Sequence, residues 1–312
     1  MRDVIGPALL ALGKRRKDFF VVDADNGPAT RVQAFGDVYQ DRYVNVGCAE
    51  QNLLGVAAGI ASTGRPVIAA TFSIFLLGRA FEQARNTIAA SRLPVVLLGT
   101  HAGLSTGADG GSHCCPEDIA LARSIPGMSV YVPACDDDIP ILLLRALESG
   151  APCYIRVPRS GIWPEGLRSS VPKLPIGSGL RCWKSGEKTA LVTTGLMLPR
   201  VLQVADKLEA IGCPSIAVYD MPVLTCSEEY IAETLYEFDN IVTIEDHWPV
   251  GGLGDLISYI VASRLNKVVL QISANHVFPS SGKPEDVLDD MGLGVDYMAH
   301  KISKSLEIEK AL

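Results

Sequence analysis

Short apolar runs alternate with helix-period segments from one end of this 312-residue chain to the other, and that alternation constrains the fold most strongly. Runs at 19–23, 43–46, 67–71, 94–99, 129–132 and 153–157 predict strands, with helices at 3–16, 50–63, 78–92 and 136–149 between them. A strand joined to the next through a helix is a crossover unit, which builds parallel sheets covered by helices. The pattern resumes with strands at 189–193, 215–219, 241–245 and 268–272 and helices at 197–211, 227–237, 254–264, 284–291 and 296–306. Between the two sets lie Pro158, Pro164, Pro172 and Pro175 among several Gly and Ser residues, the texture of a boundary. The expected class is α/β: two parallel-sheet domains at 1–160 and 188–312, with a linker at 161–187.

Charge and cysteine usage exclude several functions. The net charge is -7 and the basic residues are scattered, which argues against a nucleic-acid groove. The dense cluster Lys14-Arg15-Arg16-Lys17 reads as a solvated helix end. Hydrophobic residues make up 48% of the chain, a surplus suited to subunit interfaces. Eight cysteines without a C-x-x-C pair or disulfide-like spacing, and no signal peptide, point to a reducing cytoplasm. The apolar stretch from Val4 to Leu12 is too short for a membrane span.

One carboxylate stands out. Glu50 opens AEQNLLGVAAGIASTG, whose stretch from Leu53 to Ala61 has no charged or strongly polar side chain. A helix apolar on every side is expected to be buried all round. Glutamate is almost never fully buried unless paired. Burial favours its neutral form while a helix N-terminus favours the anion, so such a carboxyl is suited to sharing a proton with a ligand. The plain alternative is a first-turn glutamate that only complements the helix dipole.

Ligands of open α/β sheets bind beyond the carboxyl ends of the strands, and the remaining notable residues fall there. Asp25 follows the first strand; Phe72 and Phe75 follow the third; one glycine-rich loop after the fourth carries His101, Asp109 and His113; Arg156 lies near the end of the sixth and Arg159 follows it. Each has a plainer reading: core packing for the two rings, a turn for Asp25. Two histidines and an aspartate without strict spacing are a weak metal signal. No G-x-S-x-G elbow and no Walker loop occurs, and GGLGD at 251–255 lacks the full dinucleotide spacing.

Taken together, these segments resemble the C-terminal half of the transketolase family of thiamine-diphosphate enzymes. They run in order over nearly the whole chain: AEQ at 49–51, TFSIF at 71–75, THAGLSTGADGGSH at 100–113, PGMSVYVPACD at 126–136, YIRVPRSG at 154–161 and IEDHWPVGGLGD at 244–255. The resemblance implies a pyrimidine-binding domain followed by a transketolase C-terminal domain. Glu50 matches the glutamate that hydrogen-bonds the cofactor's pyrimidine nitrogen and drives the ring toward its imino form. Phe72 and Phe75 match the ring pocket, with Phe75 the better stacking candidate. Asp25 matches an aspartate near the cofactor at the subunit interface. Gly55 and Gly59 would let the helix after Glu50 pack on its two-fold mate.

His101 and His113 match histidines that face donor and acceptor, and Asp109 matches an aspartate that reads an acceptor hydroxyl. Arg2 and Arg159 match residues that grip a sugar phosphate, with Arg156 the alternative to Arg159. Ala29 departs from the family, whose phosphate site has a serine there; an unphosphorylated sugar therefore stays open.

The chain also lacks the family's diphosphate domain, in which Mg2+ is bound beside a GDG sequence; GDV at 36–38 is the nearest match. The resemblance therefore implies half of a thiamine diphosphate site and a split transketolase. A separate N-terminal subunit would carry the diphosphate and Mg2+ ligands, this chain itself contributing none, in a two-plus-two heterotetramer that moves a two-carbon ketol unit from ketose to aldose. The alternatives are a 1-deoxyxylulose-5-phosphate synthase-like carboligase, a 2-oxo-acid dehydrogenase β subunit and a non-catalytic scaffold. Histidine at 101, where the synthase is expected to carry arginine, favours transketolase.

Overall fold

In the computed structural model, which describes residues 1–159, 171–174, 179–213 and 215–306, the first six apolar runs form one parallel sheet. Its strands are β1 (Phe20–Asp23), β2 (Tyr43–Asn45), β3 (Val67–Phe72), β4 (Val95–Thr100), β5 (Ser129–Tyr131) and β6 (Cys153–Arg156), in the order β2-β1-β3-β4-β6-β5. The central β4 is buried at every position because helices cover both faces, which explains its continuous apolar sequence. Among the described residues six α-helices accompany the sheet: α1 (Ile5–Arg15), α2 (Gly27–Thr30), α3 (Gln33–Val38), α4 (Glu50–Ala61), α5 (Asp118–Arg123) and α6 (Asp138–Glu148). One face packs Ile5 and Leu9 of α1 with Leu142 and Leu143 of α6. The other receives Leu53, Leu54 and Ala57 of α4.

The second sheet is mixed. It contains β7 (Arg181–Lys184), β8 (Thr189–Thr193), β9 (Ile216–Asp220), β10 (Asn240–Glu245) and β11 (Val269–Ser273) in the order β11-β10-β8-β9-β7. β7 runs antiparallel to β9, and the other pairs are parallel. Its helices are α7 (Leu198–Ala210), α8 (Glu228–Leu235), α9 (Leu253–Leu265), α10 (Pro284–Leu288) and α11 (Val295–Ser305). β7 lies inside the expected linker at 161–187; the rest of that interval is described only at 171–174, 179–180 and 185–187. Its short Arg-Cys-Trp-Lys sequence shows no apolar alternation, as suits an edge strand protected by charge.

The domains are joined by buried charge and by shared core. The Arg156 Nε–H donates to both carboxylate oxygens of Asp118, and Nη1 reaches Asp246 Oδ1 at 2.7 Å. Arg181 joins Asp138 to Asp220 in the same way. A single apolar cluster runs from α4 through Ile119 and Ala122 of α5 to Ile231 of α8 and Ile257 of α9.

The all-apolar helix differs from its expectation of burial on every side. In α4, Gln51, Asn52, Gly55 and Gly59 are exposed, and a methyl added at either glycine would meet nothing within 4 Å. The sheet covers one side of α4 and this chain leaves the other open.

Candidate functional site

The strand ends bring most of the expected residues to one place. Glu50 begins α4 with no side-chain cap from Ala49, and is 5% exposed. β3 ends at Phe72 and leads into a π-helical turn, Ile74–Arg79. Wide turns of this kind recur at functional sites. Phe72 and Phe75 lie nearly parallel, with ring centres 5.7 Å apart. His101, just past β4, stacks on Phe72 at 3.7 Å. His113 presents its edge to both rings, 6.3 Å from Phe72 and 5.4 Å from Phe75.

Arg79 completes this group. Its Nη1 donates to Glu50 Oε2 at 2.7 Å, and its guanidinium carbon lies 4.4 Å from the centre of the Phe75 ring. The buried carboxylate is thus paired, as burial demands. Arg79 is a position of this cluster that the sequence reading missed. The available signal was a lone cation four residues after Phe75.

His101 is held on both ring nitrogens, with Nδ1 3.0 Å from Thr100 Oγ1 and Nε2 3.3 Å from Arg2 Nη1. Guanidinium only donates, so Nε2 accepts and Nδ1 carries the proton. Burial first, and then the positive charges of Arg2 and Arg159, push the His101 pKa down to about 3. The ring is neutral at physiological pH. Its backbone is left-handed, with φ of +56°, and Asp25 and Arg31 share that conformation at +62° and +71°. Such strain gathers at ligand sites.

The glycine-rich loop is fastened from below. Thr106 Oγ1 donates to the carbonyl oxygens of His101 and His113. Gly103 is required, because a methyl there would lie 2.0 Å from Asp246 Oδ2. Arg159 Nη1 donates to Asp109 Oδ2 at 2.8 Å and to the Thr106 carbonyl at 2.8 Å. His113 Nδ1 lies 3.0 Å from Ser112 Oγ.

Asp25 lies just past the end of β1. It pairs with Asn45, its Oδ1 accepting from Asn45 Nδ2 at 3.1 Å, and lies 3.9 Å from Cys48 Sγ. Arg156, the expected alternative to Arg159, is corrected: it is 2% exposed and committed to Asp118 and Asp246, so it cannot reach a substrate. GGLGD is not a phosphate loop either. The Glu245 carboxylate already takes the N–H groups of Leu253 and Gly254 at the start of α9, at 2.7 and 2.8 Å. GDV lies in α3, where Gly36 lets the Tyr43 ring pack against the backbone. Among the described residues, no group of three or more His, Cys, Asp or Glu could hold a metal ion.

Residues 1–162 match the sequence model described as transketolase, pyrimidine binding domain, and residues 180–298 match transketolase, C-terminal domain. The chain belongs to the transketolase family. It is 36% identical to a putative transketolase C-terminal section from Methanocaldococcus jannaschii, over 99% of this chain and 97% of that one. It is 32% identical to 1-deoxy-D-xylulose-5-phosphate synthase of Neisseria gonorrhoeae, over 87% of this chain but 42% of the synthase. Against such full-length relatives the chain spans about half their length or less.

Among solved structures, one described as a split gene transketolase, inactive beta4 tetramer, superposes with a TM-score of 0.87 at 34% identity and covers 99% of both chains. Transketolase from Campylobacter jejuni superposes at 0.79 and 21% identity, covering 97% of this chain and 46% of that one, which shows the shared fold. This transketolase-family chain thus corresponds to the C-terminal section of the split form. No helix among its described residues is long and apolar enough to cross a membrane.

Proposed function

We propose that this chain is the C-terminal subunit of a split transketolase that transfers a two-carbon ketol unit from a ketose to an aldose with thiamine diphosphate. One observation carries the reading: Glu50 and Phe75 together hold a flat, N–H-bearing cation, the guanidinium of Arg79. A carboxyl group beside an aromatic face is the set of partners that an aminopyrimidine ring needs, so the residues present fit that half of the cofactor. Its diphosphate and Mg2+ fall to an N-terminal subunit.

When bound, thiamine diphosphate supplies the carbon nucleophile that carries the transferred unit. Glu50 holds and exchanges a proton at its carboxylate oxygen. Phe72 and Phe75 orient the ring and exclude water, and Asp25 stands at the subunit edge of the site. His101, neutral, offers the Nε2 lone pair to a substrate hydroxyl when Arg2 is drawn aside. His113 exchanges protons with the reacting hydroxyl or carbonyl oxygen, and Asp109 accepts from an acceptor hydroxyl. Arg2 and Arg159 are the cations for a substrate anion.

Histidine at 101 favours ketol transfer over the synthase chemistry of the Neisseria relatives. The assembly is two plus two, with the open face of α4 packed on a second copy. The relative described as an inactive beta4 tetramer supports self-association without activity when the other subunit is missing. All eight cysteines are free thiols, in keeping with a cytoplasmic enzyme.

Glu50→Gln tests the reading. With the partner subunit and saturating cofactor it lowers kcat by roughly a hundredfold or more, the scale of a lost acid–base group. An unchanged kcat would remove Glu50 from the chemistry and the proposal with it.

A further inference from the structure

Side chains from two strands that flank a third are normally kept apart by the side chain between them. β3 and β6 flank β4, yet Ser73, just past the end of β3, meets Tyr154 of β6, with Oγ and Oη 2.8 Å apart. Gly99 of β4 makes the contact possible. It lies in register between the two strands, opposite Thr71 of β3 and Arg156 of β6. A methyl at Gly99 would lie 2.6 Å from Ser73 Oγ and 2.6 Å from Tyr154 Cε2. The space left by the missing side chain is filled by this hydrogen bond.

Tyr154 Oη also lies 2.7 Å from Asp118 Oδ2, at the first residue of α5. A phenol has one proton and a carboxylate only accepts, so Tyr154 donates to Asp118 and Ser73 donates to Tyr154. Burial first, and then the charge of Asp118, hold the phenol well above its ordinary range, so it keeps that proton. Arg156, two residues along β6 and facing the same side, donates to the same carboxylate and to Asp246. Ser73, Tyr154, Asp118, Arg156 and Asp246 thus form one polar chain in which no member is more than 2% exposed. A phenylalanine would fill the Tyr154 position as well; a fully buried hydroxyl is tolerated there because both of its neighbours bond it.

One end of this chain lies directly beneath the aromatic pocket. Ser73 is the N-cap of the π-helical turn Ile74–Arg79 but makes no side-chain cap to it, its hydroxyl being committed to Tyr154. Phe72 precedes it, stacked on His101 at 3.7 Å and lying 5.7 Å from Phe75. Leu76 and Leu77 of the turn share an apolar cluster with Ile119 of α5, so the helix that presents Asp118 also packs under the turn.

We propose that Tyr154 is a positioning residue for the ring pocket: through Ser73 it fixes the turn that sets Phe72 and Phe75, and through Asp118 and Arg156 it ties that turn to the second domain. The second domain then acts on the pocket without touching what the pocket binds. This inference goes beyond the ketol-transfer reading, and only its kinetic arm rests on that reading.

NMR of the full chain without cofactor is the first test, read at the His101 ring C–H signals, which the face of Phe72 shields. Tyr154→Phe and Ser73→Ala both shift those signals, and the double variant shifts them no further than Tyr154→Phe, because the two residues share one bond. Thr193→Val is the control. It removes a buried hydroxyl that donates to the Ile244 carbonyl at 2.8 Å within the second sheet, and it leaves the His101 signals in place. His101 signals unmoved in both site variants, or moved as far by Thr193→Val, overturn the positioning role.

The kinetic arm uses the enzyme assembled with its partner subunit. Tyr154→Phe raises KM for thiamine diphosphate by roughly tenfold, the scale of one buried hydrogen bond, while kcat at saturating cofactor stays within about threefold. An unchanged KM overturns the proposal. The NMR arm is independent of Glu50 and of any reaction, so failure of the positioning role and failure of the ketol-transfer reading are told apart.

Discussion

Arg79 and Glu50 form an ion pair across the end of the first sheet, with Nη1 2.7 Å from Oε2 although the arginine is 54% exposed and the glutamate 6%. One partner is fixed and buried at the head of α4, and the other reaches in from solvent. The pair therefore satisfies a buried carboxylate with a cation that can leave.

Arg79→Met follows directly from that asymmetry. Without the guanidinium, one competitor for Glu50 and for the face of Phe75 is gone, and thiamine diphosphate binding to the assembled enzyme tightens by roughly tenfold. The cofactor-free chain loses about 1 kcal/mol of stability, at the low end because half of the arginine is in water. Calorimetry and denaturant unfolding read the two effects. Weaker cofactor binding would mean that Arg79 is a ligand to be kept and not a group to be displaced.

His101 supplies a pH signature. Its pKa is about 3 in the fold against an ordinary 6.5, chiefly through burial, so the unfolded chain binds a proton that the folded chain refuses. Stability therefore rises with pH between those values, and this contribution is lost as pH falls from about 6.5 toward 3. Histidine NMR should find the ring neutral, with the proton on Nδ1, throughout the physiological range. Arg2→Ala raises the pKa. A protonated His101 at neutral pH would contradict the hydrogen-bond assignment.

Arg156 carries a stability prediction and no catalytic one. Arg156→Met leaves Asp118 and Asp246 buried and without their cation, and costs about 3–5 kcal/mol in denaturant unfolding. A loss below about 1 kcal/mol would show that the two carboxylates are solvated or protonated in the native protein.

These residues also show where sequence reasoning stops. The strands from Phe20 to Arg156 were legible because burial on both faces writes itself as continuous apolar runs. β7 was not, since an edge strand of four residues with two charges carries no periodic signal. Arg156 and Arg159 are three residues apart in similar sequence, and only the fold separates a buried tie between domains from a cation that reaches Asp109. Motif resemblance found Glu50, Phe75, His101 and His113 together. It passed over Arg79, whose ion pair depends on which carboxylate lies across the site. The apolar sequence of α4 by itself points to burial on all sides. The fold leaves Gly55 and Gly59 open, because sequence records that a surface is apolar but not which chain covers it.

The most direct test of the half-site is a calorimetric titration of thiamine diphosphate with Mg2+ into this chain alone and into its mixture with a diphosphate-binding N-terminal subunit. Tight binding in the mixture only, lost stepwise as the partner is withheld, is the predicted result. Tight binding to the chain alone would contradict the account, because the diphosphate would then have its ligands here.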